Sequence, residues 1–526
     1  MKKLISLIMS LIFMISAFSA CSPKGSDSAI SEQMQVETTT EAEAEEESET
    51  DEYISPMEFT LPIAINDSLN PYTAQSKQNK QLSLLIYESL VVLDNNFEAK
   101  YQLASLVSGS QTEYIIVLRN GAKFSDGKAV TADDVVYSYN LAKESGLYTG
   151  VFDNVESVGA VSGDVVFNLK VADPYFANLL TFPVIPKGSK DKKSSSGRIE
   201  SPVGSGRYVY SYTPADPTLS RNEYYNGGSA PSIKLIRLVD TPDTESFEYS
   251  IKTGKISLCY TDFSNNDYTR LNGNSQTVNL NNIIYLGINS KDKNLAQKEV
   301  RRAISFAINR KAICDSIFYQ TSVAANGLYN PYFKGIDISD EKFYLHQIES
   351  AVEELNKIGY NNNLGDGIMR KDNTELSIRL LVNEENSSRV QTAEQVANGL
   401  REAGFKVTLE KESFKNYSRK IEILDYDLYI GEVKLNNNMD LSPLLDNQKM
   451  TAFGVTDEAT KKYSQFVGGE IKDTEFKKYI EDEMPVIPLL YRKGMLSYSK
   501  YLGDHLTPAV SDIFYGIEAW SYNTSE

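Results

Sequence analysis

The sequence is poor in the residues that most enzymes and metal proteins rely on. Among 526 residues there are two histidines, three cysteines and one tryptophan. His346 and His505 stand alone in the chain, and neither neighbours a metal-ligand pattern, so neither a zinc spacing nor a histidine-based triad is available. A lone histidine is far more often structural. Aspartate and glutamate are plentiful, so counting alone leaves a carboxylate pair open. No glycine-rich phosphate loop follows a strand: Gly204-Ser205-Gly206 lacks the third glycine and the helix, and reads as a turn. There is no excess of basic residues; the formal net charge is −18, and nothing suggests a nucleic-acid partner. No tandem repeat and no long apolar run occur beyond the N-terminus. Cys259 and Cys314 are too few for a disulfide framework; two buried thiols or a single bridge both remain open.

The N-terminus is distinctive. Lys2 and Lys3 precede an uncharged apolar run from Leu4 to Ala17, then Phe18-Ser19-Ala20-Cys21. A basic start, an apolar stretch and small residues before a cut site form a secretory signal over residues 1–20. The alternative, an uncleaved membrane helix, needs about 20 apolar residues, and this run barely reaches the lower limit. Phe18 to Cys21 resembles a bacterial lipobox, with Phe18 where leucine is usual. That resemblance implies a diacylglycerol on Cys21, whose two acyl chains hold a protein on a membrane where one chain does not. Residues 21–53 form an acidic tail, crowded at Glu41, Glu43, Glu45, Glu46, Glu47 and Glu49, which carries more than half of the net charge. With almost no large apolar residue it cannot offset its ordering entropy, so an extended, disordered tether is expected.

The chain beyond it exceeds one ordinary core, so two or more lobes are expected. Phe59–Asn66 reads as a strand, Gln81–Leu93 as a helix and Glu113–Arg119 as a strand, with turns at Asn120-Gly121 and Asp126-Gly127. Thr131 is a helix cap with Asp134 at the capping-box position, and Val135, Tyr139 and Ala142 face inward. Later, Val300, Ala303, Ile304, Ala307 and Ile308 repeat at helical spacing, and Gly359 is placed to end a helix over Ala351–Tyr360. Leu376–Val382, Ser388–Ala403 and Phe405–Leu409 read as strand, helix and strand, a right-handed crossover in a parallel sheet.

The run Leu118-Arg119-Asn120-Gly121-Ala122-Lys123-Phe124-Ser125-Asp126-Gly127-Lys128-Ala129-Val130-Thr131-Ala132-Asp133-Asp134-Val135 resembles the signature of extracellular solute-binding protein family 5. The same residues also build a strand, a turn and a capped helix, and need not touch ligand. Further segments agree in the family's order. They are Pro202-Val203-Gly204-Ser205-Gly206-Arg207-Tyr208 (with Ser205 and Arg207 as departures), Arg221-Asn222-Glu223-Tyr224-Tyr225, Ile284 to Asn289, Val300 to Arg310 and Pro485 to Tyr491. The resemblance spans roughly Met57 to Trp520. It implies an α/β fold of two periplasmic-binding-protein-like lobes joined by a hinge. Lobe I would cover 54–284 with an extra subdomain at about 75–198, lobe II 285–487, and the chain would return to lobe I over 488–526.

The family resemblance also implies a function: capture of oligopeptides or dipeptides by closure of the lobes, delivery to the permease subunits of an ABC importer, and a place on the extracellular face of the cytoplasmic membrane. It implies no cofactor, no metal site and no catalysis. Nickel chelates and oligosaccharides are the alternatives within the family. A sensory co-receptor and a carboxylate-based surface hydrolase are the alternatives outside it.

In peptide-binding members, a strand offers its backbone to an extended peptide, as a sheet edge does. The matching register here places Gly431, Glu432 and Val433 at that contact. The family's amine-binding aspartate and its tryptophan are absent; Asn437 and Asn438 stand there instead. Asn438, or Asp440 or Glu432 in a shifted register, is the candidate for that end of the ligand, with a helix cap as the competing role for Asp440. Tyr285 and Tyr491 lie on the expected lobe-crossing segments, where they either flank a ligand or pack between lobes. Asn70 and Tyr72 belong to a turn.

Overall fold

The computed structural model describes residues 57–110, 112–191, 201–213, 216–263, 269–319, 321–336, 342–503 and 506–523. The expected secretory signal, Cys21, the acidic tail and His505 lie outside the described residues.

The first lobe is built on two sheets. In one, Thr60–Ile63 runs parallel to Leu235–Asp240, and Thr218–Arg221 and Tyr208–Ser211 follow antiparallel. In the other, Ala104–Ser110, Glu113–Leu118, Asp164–Leu169 and Val155–Val161 form an antiparallel sheet. The helix Ala132–Glu144 packs on it. Asp134 accepts the Thr131 amide at 2.8 Å and its hydroxyl at 2.6 Å, which satisfies the start of that helix. Gly121 and Gly127 take positive φ values of 73° and 84° in the expected turns. Tyr139 sits among Phe152, Phe167 and Phe182 with ring centroids 5.0, 5.3 and 6.2 Å away. Such pairs add roughly 0.5–1.5 kcal/mol each beyond their buried area.

One sequence expectation fails here. The helix predicted over Gln81–Leu93 runs instead over Lys77–Ile86, and Val91–Leu93 is a strand paired with Ala99–Tyr101. The β-branched pair Val91-Val92 favours the strand, and cross-strand pairing outweighs the helical spacing of the apolar residues before it.

The second lobe is organised by a seven-stranded sheet. Ser377–Asn383 and Lys406–Glu412 are parallel, joined by the helix Ser387–Glu402, as the strand–helix–strand pattern predicts. Leu428–Lys434 lies on the other side of Ser377–Asn383, and Asn274–Ile288 pairs antiparallel with it. Ile487–Tyr498 pairs with Asn274–Ile288 along its length, then carries Leu258–Thr261 and Ser322–Ala324 on its far edge. The register between the two long strands shifts between Asn279 and Ile283, a bulge that bends them. Asn330 satisfies that irregular backbone by donating to the Leu280 carbonyl at 2.9 Å. Helix Lys298–Ala307 buries Val300, Ala303, Ile304 and Ala307 in the second lobe's core, and the next helix, Arg310–Ile317, is capped by the Asn309 side chain at 2.9 Å. Gly359, with φ 89°, follows the helix Ile348–Lys357.

The long strands serve two hydrophobic cores. One runs from Phe59 to Leu258 and takes in Leu496, Tyr498 and the C-terminal Trp520; the other runs from Ile284 to Leu490. The architecture is therefore two-lobed α/β with shared crossing strands. Cys259 and Cys314 are thiols buried in two different clusters. Among the described residues, no helix is long and apolar enough to cross a membrane.

Candidate functional site

Strand geometry divides the candidate residues into two sets. Side chains alternate between the faces of a strand. The register pairs Tyr285 with Gly431, Ile284 with Glu432, and Ile283 with both Val433 and Tyr491. Tyr285, Val433 and Tyr491 thus point to one face, and Ile284, Glu432 and Arg492 to the other.

The first face is closed. Tyr285, Tyr426, Tyr429 and Tyr491 lie in an aromatic core with Phe97 and Tyr329, and Val433 packs against it. Tyr285 is 1% exposed and donates to the Thr451 carbonyl at 2.7 Å. Burial pushes its hydroxyl up to about 12. Its ring lies so close over Gly431 that a Cβ there would come within 2.5 Å of it. Gly431 is therefore required for packing. Tyr491 is fully buried and donates to the Leu328 carbonyl. Both tyrosines are packed inside this aromatic core.

The second face opens on a cavity of about 530 Å3, within the range of small-molecule sites. Its wall includes Ile284, Glu432 and Arg492 from the crossing sheet, Ser387, Ser388 and Arg389 from a helix start, and Arg270. The cavity lies beyond the carboxyl end of Ser377–Asn383, where open α/β sheets hold ligands. Asn386 caps the helix by accepting the Arg389 amide at 2.9 Å, which fixes the turn that presents Arg389.

Glu432 is clamped. Arg389 donates to its Oε2 through Nη2 at 2.8 Å and Nε at 3.3 Å; Arg492 Nη1 and Asn282 Nδ2 reach its Oε1 at 3.0 and 3.2 Å. Burial alone would raise its pKa, but the charges of Arg492 and Arg389 outweigh it and hold the carboxyl below the usual range. The Arg492 side chain is 9% exposed; its Nη2 donates to the Asp262 carbonyl at 2.9 Å, and its buried Nε has no partner among the described residues. Glu432 is the one carboxylate on this wall among the described residues.

The backbone of this strand has an open side. The pairing of Leu428–Lys434 with Ser377–Asn383 covers only Leu428 and Tyr429. Gly431, Glu432 and Val433 thus have a strand partner on one edge alone, the edge toward Asn274–Ile288.

Asn438 and Asp440 are placed elsewhere. Asn438 Nδ2 donates to Asp173 Oδ2 at 2.7 Å. Asp440 accepts the Ser442 amide at 2.9 Å, its hydroxyl at 2.7 Å and the Tyr463 hydroxyl at 2.5 Å. It holds the start of the short helix Ser442–Leu445, so its lone pairs are engaged inside the protein. Of the sequence candidates, only Glu432 lines the cavity. The arginines facing it were missed. The available signal was a charged residue inside an apolar strand: Glu432 in Leu428–Lys434 and Arg492 in Ile487–Tyr498.

Comparison with known proteins fits this architecture. Residues 98–449 match the model of bacterial extracellular solute-binding proteins, family 5 Middle. The oligopeptide-binding protein AppA of Bacillus subtilis is 26% identical over 61% of this chain and 63% of its own length. The chain thus spans a little under two thirds of that relative. The nickel-binding periplasmic protein of Escherichia coli is 24% identical over 68% of this chain and 72% of its own. Among solved structures, the unliganded open form of the periplasmic murein tripeptide binding protein MppA superposes with a TM-score of 0.72 at 18% identity, covering 89% of this chain and 98% of that one. NikA from Brucella suis, in complex with Fe(III)-EDTA, gives 0.63 at 19% identity, covering 89% and 99%. At such identities the superpositions establish the fold, while the family model covers well over half of the sequence: the chain belongs to the bacterial extracellular solute-binding proteins of family 5.

Proposed function

We propose that this protein is the substrate-binding component of an ABC importer, that it captures a small polar solute outside the cell, with a peptide or peptide-like compound favoured, and that it passes the solute to permease subunits. The observation that carries this reading is the cavity of about 530 Å3 on the open face of the crossing strands, walled by Glu432, Arg389 and Arg492. The unpaired edge at Gly431–Val433 gives an extended peptide a strand to add to. The bulge in the crossing strands is the natural point for the lobes to bend toward each other around the solute. Cys21, carrying diacylglycerol, would hold the protein at the membrane surface near its permease.

Thermal-shift screening of the protein against pools of peptides, metal chelates and oligosaccharides tests the ligand. A compound at 100 times its Kd adds about 2.7 kcal/mol of stability. A shift from oligosaccharides alone would remove the peptide reading. Replacing Cys21 by Ser is expected to release the protein into the medium; retention of that variant in the membrane fraction would remove the anchor. A metal chelate is the second reading. Three arginines on the cavity wall suit a carboxylate-rich chelator, and the chelator would then supply the metal ligands.

A further inference from the structure

The charge balance of the cavity wall narrows the ligand class. Among the described wall residues, Arg270, Arg389 and Arg492 face a single carboxylate, Glu432. A carboxylate offers roughly four lone-pair sites. Four hydrogen bonds from Arg389, Arg492 and Asn282 already reach Glu432. The one acid on the wall is thus filled by the protein itself, and a ligand ammonium group would find no acceptor there. The donors are in the opposite state. Two guanidiniums bring far more N–H groups than one carboxylate accepts. Arg492 Nε, on a side chain more than nine-tenths buried, has no partner among the described residues. That nitrogen is itself buried, so it marks the surplus of donors in the cluster rather than a contact open to a solute. The first turn of the helix Ser387–Glu402 adds the positive end of its dipole to the same wall.

Resting on the solute-binding reading, we infer that this cavity selects acidic solutes, those whose carboxylates outnumber their amines. A ligand carboxylate docks beside Glu432 on the Arg389–Arg492 pair, and a second anionic group is drawn by the exposed Arg270. Glu432 orients the two guanidiniums and lowers their net field where Arg492 is buried and Arg389 half-buried. A peptide with one amine and one carboxylate is disfavoured against an acidic one, because its positive end meets arginine.

Calorimetric titration with two probes that differ in one end group tests this: trialanine, and N-succinyl-trialanine, in which the amine is replaced by a carboxylate. The succinyl compound is expected to bind at least tenfold more tightly, about 1.4 kcal/mol, with an advantage that shrinks as ionic strength rises. Glu432→Gln, which removes the negative charge and keeps an oxygen acceptor, is expected to widen the advantage. Arg270→Ala, a change at an exposed position, is expected to narrow it. Equal or tighter binding of trialanine, or an advantage unmoved by both substitutions, overturns the inference. If neutral or cationic members of the screening pools bind and acidic ones do not, the inference fails while the solute-binding reading stands. If no pool member of any charge binds, both fail.

Discussion

Two buried arginine clusters in this protein are built from the same parts in opposite proportion. In the first lobe, Arg207 is 3% exposed and meets two carboxylates: Nη1 to Asp512 Oδ2 at 3.0 Å and Nε to Glu518 Oε1 at 2.7 Å. At the cavity, one carboxylate, Glu432, meets two arginines. The first cluster ties the Gly204–Tyr208 turn to the C-terminal segment. It gives Arg207, a departure from the family resemblance, a structural role: here the turn is held by charge. The second cluster borders open space and retains an unused donor. A cluster whose carboxylates outnumber its cation, closed within the protein, is a fastener; one with surplus donors beside a cavity is a receptor for the missing charge.

The largest expected effect falls on the fastener. Arg207→Met leaves the buried Asp512 and the half-buried Glu518 without their cation and should cost roughly 3–5 kcal/mol, read from urea unfolding. A loss well under about 1 kcal/mol, the scale of an exposed ion pair, would erase the distinction drawn between the clusters. Glu432→Gln should destabilise less, roughly 1.5–3 kcal/mol, because the amide oxygen of the substituted side chain still accepts from a guanidinium and the cavity admits counter-ions. An equal loss at both sites would break the comparison from the other side.

Acid titration sharpens it further. The Glu432 carboxyl is depressed below its ordinary value of 4.5 in the folded chain. Its contribution is therefore complete above about pH 4.5 and is lost as pH falls through the lower folded value. The stability difference between wild type and Glu432→Gln should be flat in the neutral range and close up under acid. A difference that closes on raising the pH would contradict the clamp. The smallest effect separates the two faces of the sheet. Tyr491→Phe removes one hydrogen bond to Leu328 and should cost about 1 kcal/mol, with solute affinity unchanged in calorimetry. A tenfold loss of affinity would return Tyr491 to the ligand wall.

Much of the fold was legible in the residues. The strand–helix–strand unit at 376–409 follows from alternation, then helical spacing, then alternation. Thr131 and Asp134 announce a helix start that the structure shows closed as expected. The site was less legible because a strand shows which residues share a face, and never which face is open. Tyr491 and Arg492 are neighbours; choosing the aromatic ring chose the closed face. Asp440 was a candidate by its proximity to a family position, but its partners Ser442 and Tyr463 make it a structural carboxylate. Arg389 sits far before Glu432 in the chain, and only the folded crossover brings the two together.

The crossing strands also bear on how the chain comes to be folded at all. Asn274 pairs with Tyr498, and Leu258 pairs with the same residue. The strand that joins these segments is therefore nearly the last to be synthesised. Pairings this distant in sequence are slow to form, since a long loop must close before any contact rewards it. Until Ile487–Tyr498 is complete, neither core has its final wall, and the chain stays open and extensible. If the chain is exported by the signal expected at residues 1–20, a late-closing sheet would keep it threadable for as long as it is being made.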